Sequence, residues 1–320
     1  MKPLLTGALL LLLAVGCSPG ERLGSTGAGG LDEMSYIVVP HPDDEMQAWS
    51  LIEDSPDAYK VFIMLTIGEQ TAYCASPGYD EGTGEASPSP WPAGKWTSSC
   101  ESARQNSFFD FIAAMADSDD GLPSSFTFEG VKGPFDSLGY TICRHDAEGC
   151  VSDRTAKVWI SEVAAVVWFN LGDGDLTDEE VEWAVKTVRD NRSTLGINKS
   201  LPNGSLIGAS YWNSSYSGCF VYTHDDHLAV YEALWDTDFD IGYQAAASCD
   251  SDPGVARVAQ VSYAHFDDAF ETSGSSRLGA HVVNYGWLWG EGPGYWPGDY
   301  SGQGELFHRD QAFRVRFSSS

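Results

Sequence analysis

Tyr36-Ile37-Val38-Val39-Pro40-His41-Pro42-Asp43-Asp44-Glu45, followed further along by Val61-Phe62-Ile63-Met64-Leu65, decides the fold. The first four residues form a continuous apolar run stopped by two prolines, the pattern of a short strand buried on both faces. Met46 to Ile52 can carry a helix, and the second apolar run reads as another strand. Strand, helix and strand in so short a span is the rhythm of a parallel sheet with a right-handed crossover. The expected fold class is therefore α/β: a Rossmann-like, mainly parallel sheet flanked by helices. In such sheets ligands bind at the carboxyl ends of the strands, which is where His41 and the acidic residues after it fall.

Working outward, Cys74 to Cys100 encloses a segment dominated by Pro, Gly, Ser and Trp that reads as a long surface loop. Ser102 to Met115 reads as a helix, and Val158 to Phe169 as an apolar stretch ending in a strand. Thr177-Asp178-Glu179-Glu180 has the form of a capping box, with Val181, Val185 and Val188 following at helical spacing. Asp173, Asp175 and Asp178 lack the spacing of an EF-hand, so a capped helix accounts for them better than calcium does. Phe220 to Thr223 is expected as a strand and Leu228 to Leu234 as the helix after it. Beyond Asp250 short alternating segments rich in Gly, Trp and Tyr predict added strands and loops.

The amino terminus reads as a targeting segment: Lys2, an apolar run from Leu4 to Val15, then Ala14-Val15-Gly16-Cys17. This is the form of a lipoprotein signal, with cleavage before Cys17 and a lipid on that cysteine as the only membrane attachment. An ordinary cleaved secretory signal is the alternative. Residues 1–17 are thus expected as signal, 18–34 as a Gly/Ser-rich tether, and 35–320 as one domain with a core over 36–235 and additions over 236–320. Setting Cys17 aside, six cysteines remain, at 74, 100, 143, 150, 219 and 249, an even number that suggests disulfides in an exported chain. The Asn-x-Ser sequons at Asn191, Asn198, Asn203 and Asn213 would also fit a secreted glycoprotein. A formal net charge of −28 argues against nucleic acid or an anionic lipid surface as a partner, since both would repel it.

Two clusters carry the chemistry. His41 at a strand end and Asp44 three residues on can turn an imidazole nitrogen and a carboxylate oxygen toward one metal ion. Asp43, between them, can face the same cavity and take a proton from water. Acidic residues at a helix start also serve as caps and dipole partners, but a histidine at the preceding strand end is not part of that pattern. Tyr222-Thr223-His224-Asp225-Asp226-His227 supplies two more histidines at a second strand-to-helix turn. One of them can complete a metal site of two histidines and a carboxylate. The other, oriented by Asp226, can stabilise an oxyanion. His145, His265, His281 and His308 have no such neighbourhood.

His41-Pro42-Asp43-Asp44-Glu45 resembles the signature that opens the LmbE-like (PIG-L) deacetylase family, and His224-Asp225-Asp226-His227 resembles its second motif. The resemblance implies one zinc per chain on His41, Asp44 and His227, with iron or cobalt as rival ions, and Asp43 as general base. It implies that His224 assists the tetrahedral intermediate with Asp226 as its partner, and that Tyr222 reaches the acyl oxygen. Thr66-Ile67-Gly68-Glu69 resembles the family's turn after the second strand, and Arg104 stands where an arginine contacts substrate; both Glu69 and Arg104 are thus expected near the substrate. Asp225 departs from the proline usual there, and Ser107 replaces a glutamate. The implied activity is removal of an acyl group, acetyl above all, from an amino sugar or glycoconjugate. The alternatives are a zinc amidase acting on a non-sugar acyl amine and a glycan-binding surface lipoprotein without turnover. Trp91, Trp287, Trp289 and Trp296 could stack on sugar rings or pack in the core and loops.

Overall fold

Alternation along the first strand organises the whole domain. In the computed structural model β1 is Glu33–Val39, and its successive side chains enter opposite layers. Ile37 and Val39 join one core with Met46, Trp49, Phe108 and Phe111, while Tyr36 and Val38 join the other with Val181, Val185, Val230 and Leu234. The structure describes residues 30–68, 95–116, 119–143, 154–197, 200–211, 224–248, 254–260 and 310–318. From Leu31 onward they belong to one compact unit.

Among the described residues the remaining strands are β2 (Ala58–Met64), β3 (Thr127–Lys132), β4 (Ala156–Ile160), β5 (Ala164–Trp168), β6 (Asn203–Tyr211), β7 (Tyr243–Ser248), β8 (Arg257–Gln260) and β9 (Asp310–Phe317). They form one sheet in the order β3-β4-β5-β2-β1-β6-β7-β9-β8. The central five, β5 to β7 in that order, are parallel, and antiparallel strands extend each side. The α/β class and the mainly parallel, helix-flanked sheet expected from sequence are what the structure has.

The helices cover both faces. A 3-10 turn over Asp44–Ala48 leads into α1 (Trp49–Glu53), and with α2 (Ser98–Met115) they lie on the first core. Helices α3 (Asp178–Asp190) and α5 (Asp225–Asp236) lie on the second, with the short α4 (Arg192–Leu195) following α3. The capping box is complete: Thr177 Oγ1 accepts from Glu180 N, and Glu180 Oε2 accepts from Thr177 N. Three details differ from the sequence reading. The helix expected over Met46–Ile52 is split between 3-10 and α winding. The stretch Val158–Phe169 is a hairpin of two antiparallel strands turning at Ser161, whose hydroxyl accepts from Ala164 N. The strand expected over Phe220–Thr223 lies outside the described residues; among the described residues the strand before α5 is β6, whose Gly, Ser and Asn gave no apolar run to find.

The topology fixes where a site can form. From β1 the chain moves to β2 and then β5 on one side, and it returns to β6 on the other side of β1. The reversal lies between β1 and β6, and the crevice beyond their carboxyl ends is the natural ligand position in an open α/β sheet. The C-terminal strands β8 and β9 continue this sheet through β7.

Candidate metal centre

The turn leaving β1 is tight and strained. Asp43 has φ 112°, a backbone conformation that side chains other than glycine adopt at a cost, and such strain concentrates at functional sites. The turn is tied by Asp44 N to His41 O (3.1 Å), by Asp43 N to Glu45 Oε2 (3.0 Å) and by His41 N to Asp44 Oδ2 (3.1 Å). Across the crevice His224 is the N-cap of α5 and His227 lies in its first turn.

These two turns bring His41, Asp44 and His227 together, all buried. Asp44 Oδ2 is 2.9 Å from His41 Nδ1 and 3.2 Å from His227 Nε2. A tetrahedral ion with bonds near 2.1 Å holds neighbouring ligand atoms about 3.4 Å apart, so this donor set is close to the spacing, and has the chemistry, of a metal site. Two imidazoles and one carboxylate suit a borderline-soft divalent ion.

The second nitrogen of His41 is held as well. Its Nε2 is 2.8 Å from Asp226 Oδ2 and 3.3 Å from Asp173 Oδ1. A carboxylate on the far nitrogen of a ligating imidazole fixes the tautomer and raises the basicity of the other nitrogen. Asp226 is itself fixed by Gly174 N (2.9 Å) and Leu176 N (3.0 Å). His41, Asp173, His224 and Asp226 form a second group with potential ligand atoms in reach of one another, sharing His41 with the first.

The charges agree with this layout. Burial works against an imidazolium at His41, yet hydrogen bonds that its ring donates to Asp173, Asp226 and Asp44 hold its pKa well above the ordinary value, so the pocket attracts a cation at that point. Burial would raise Asp44, but His227 and His41 keep it well below the usual carboxylate range. Asp226 is likewise raised by burial and brought down by His41 and the two backbone N–H groups, to about 2. Asp43 goes the other way: burial dominates and pushes it up to about 7, although Arg104 pulls it down. His224, with its side chain 30% exposed, is lowered by burial and by the neighbouring histidines.

The expected residues fall into place unevenly. His41, Asp43, Asp44, His224, Asp226 and His227 share one pocket. Asp226 is 3.9 Å from His224 Nδ1, an ion-pair distance, and makes its hydrogen bond to His41. Arg104, expected at the substrate, donates from Nη1 to Asp43 Oδ2 at 2.7 Å. Gly68 makes room for it, having φ +70° and a position where a Cβ would come within 2.6 Å of Arg104 Nη2. Tyr222 and Glu69 lie outside the described residues, as do His145, His265, His281, His308 and the four tryptophans named above.

Three pocket residues were not singled out from sequence as site residues. Asp173 was absorbed into a capped-helix reading, yet it follows β5 at the carboxyl edge of the sheet, and that position was the available signal. Gln47 donates from Nε2 to Asp44 Oδ1 at 2.7 Å. Gln311, on β9, reaches the backbone of the same turn at Met46 O and Ser50 N; no local pattern marks it.

Compared with known proteins, the chain matches no family model, and no curated protein matches it.

Proposed function

We propose that this chain is an exported zinc-dependent amide hydrolase that removes an acyl group, acetyl above all, from the nitrogen of an amino sugar or glycoconjugate. The observation that carries the reading is the convergence of His41, Asp44 and His227 on one buried point with the Asp43 carboxyl beside them, poised near neutrality. The amino-sugar substrate class rests on the resemblance of the two motifs to the LmbE-like (PIG-L) deacetylases.

His41, Asp44 and His227 would hold the zinc ion, which would supply Lewis acidity toward an amide carbonyl and toward water. Asp43 takes the proton from the attacking water, the work of a base whose pKa lies near the operating pH. Arg104 holds that carboxylate in one orientation through its Nη1 bond to Oδ2, the guanidinium lying close to Gly68. Asp226 and Asp173 keep the His41 ring in its tautomer, with Nε2 turned away from the ion. His224, less buried than the rest, steadies the oxyanion of the tetrahedral intermediate. A proton returns from Asp43 or His224 to the leaving amine.

Export and a lipid anchor at Cys17 belong to the same proposal. Cys100 and Cys143 are both disulfide-bonded, which suits a chain that matures in an oxidising compartment. No helix among the described residues is long and apolar enough to cross a membrane.

The test is acetate release from N-acetylglucosamine and its short oligomers by protein lacking residues 1–17. Wild type, Asp43→Asn and chelator-treated samples are run side by side. The proposal expects release that is lost in the other two samples, with zinc still bound in Asp43→Asn. Stoichiometric zinc without turnover of any sugar would overturn the amino-sugar assignment and direct the search to other acyl amines. Release that persists in Asp43→Asn would remove Asp43 as the base.

A further inference from the structure

We propose that Gln47 is a positioning residue that makes Asp44 a one-oxygen ligand, an inference that rests on His41, Asp44 and His227 being the metal site. The two carboxylate oxygens of Asp44 are divided between different partners. Oδ2 faces His41 Nδ1 and His227 Nε2 and accepts the His41 backbone N–H. Oδ1 accepts from Gln47 Nε2 at 2.7 Å, with Gln47 only 2% exposed. An oxygen already bonded to an amide N–H, while its partner oxygen faces both imidazoles, is withheld from the ion.

The local winding builds this contact. Residues 44–48 form a 3-10 turn, in which side chains three apart eclipse one another, so Gln47 stands directly over Asp44. Continuous α-helical winding would rotate Gln47 away from that line. The amide is oriented by this contact, because a carboxylate oxygen at 2.7 Å meets the NH2 end, the only donor of the amide.

Packing does not explain a glutamine at this position. Its Oε1 is buried with no hydrogen-bond partner among the described residues, and a buried acceptor left unsatisfied is costly. Methionine would fill the same space without that cost. The function of the amide is the one bond it makes, to Oδ1. The consequence is a site with three protein donor atoms. Positions therefore stay open for water and an amide carbonyl, as hydrolytic zinc sites require. Freed from Gln47, Asp44 can engage the ion through both oxygens, raising the coordination number and weakening its pull on substrate and water.

The experiment loads wild type, Gln47→Met and Gln47→Leu with one equivalent of Co2+ and records metal stoichiometry, near-UV circular dichroism and visible d–d absorption. Wild type is expected to give the intense bands of a four-coordinate ion. Both variants, folded and loaded, are expected to give bands several-fold weaker, the mark of a five-coordinate ion. Full-strength bands in either folded variant would overturn the role of Gln47 while leaving the metal site standing. Weak bands in the wild type would overturn it without recourse to a variant. Wild type that takes up neither Co2+ nor Zn2+ would remove the metal reading itself, and the role of Gln47 with it.

Discussion

Replacing Gln311 by methionine tests whether the C-terminal strand braces the metal-binding turn. Gln311 Oε1 accepts from Ser50 N at 2.9 Å, and Nε2 donates to Met46 O at 2.6 Å, all three residues being buried. Ser50 is in the first turn of α1, where backbone N–H groups have no partner within the helix, so a side chain 261 residues away serves as its cap. Methionine preserves the volume and removes both bonds. The orphaned Ser50 N–H would cost about 1–3 kcal/mol, and Met46 O, which keeps the N–H of Trp49, roughly 0.5–1.5 kcal/mol. Together the loss is about 1.5–4.5 kcal/mol, read as a lower urea midpoint with an unchanged m-value. Met46 lies between Asp44 and Gln47, so Zn2+ affinity measured against a competing chelator is expected to fall as well. A change below about 0.5 kcal/mol, the range of an ordinary surface substitution, would refute the bracing argument.

The other predictions concern the surroundings of the site. Asp226→Asn keeps the shape but removes the charge facing His41 Nε2, and Zn2+ affinity is expected to drop by roughly 10–100-fold; unchanged affinity in a chelator competition would reduce Asp226 to a tie for the loop at Gly174 and Leu176. Gly68→Ala forces a Cβ into Arg104 at a left-handed backbone position. It should lower kcat with metal stoichiometry intact, and normal kcat would show that Asp43 does not need Arg104 in place. Lys60 is wholly buried, donating to Ser55 O and Gly121 O, and burial holds its pKa down to about 8 against 10.5 in the open chain. Below pH 8 both states carry the proton. From pH 8 to 10.5 only the unfolded chain does, so wild type should gain stability relative to Lys60→Met by roughly 3 kcal/mol over that window, and parallel pH profiles of the two would refute it.

The sheet could be read in the sequence because its central strands are buried on both faces and appear as uninterrupted apolar runs. β6 escaped because its Asn203, Gly204 and Ser205 break that pattern; Ser205 Oγ instead donates to Ser35 Oγ on β1. The site was legible wherever its residues are neighbours in sequence. His41 with Asp44, and His224 with His227, are spaced so that one turn of chain aims both at one point. Asp173, Gln311 and the bond from Arg104 to Asp43 were hidden, since each depends on contacts that only the sheet order creates.

Asp226 shows the physical limit of reading partners from spacing. Standing two residues after His224, it looks like that histidine's orienting group. His224, however, is the N-cap of α5 with an extended backbone, and its Nδ1 stays 3.9 Å from the carboxylate, within ion-pair reach and beyond a hydrogen bond. The carboxylate points instead across the crevice, where β1 and β6 are adjacent and His41 comes within 2.8 Å. His41 is thereby held at both nitrogens, by Asp44 on one side and by Asp226 with Asp173 on the other, while His224 keeps the more open position. That division matches what a hydrolytic metal centre needs: a rigid ligand whose second nitrogen is occupied, and a more exposed imidazole left to meet the substrate.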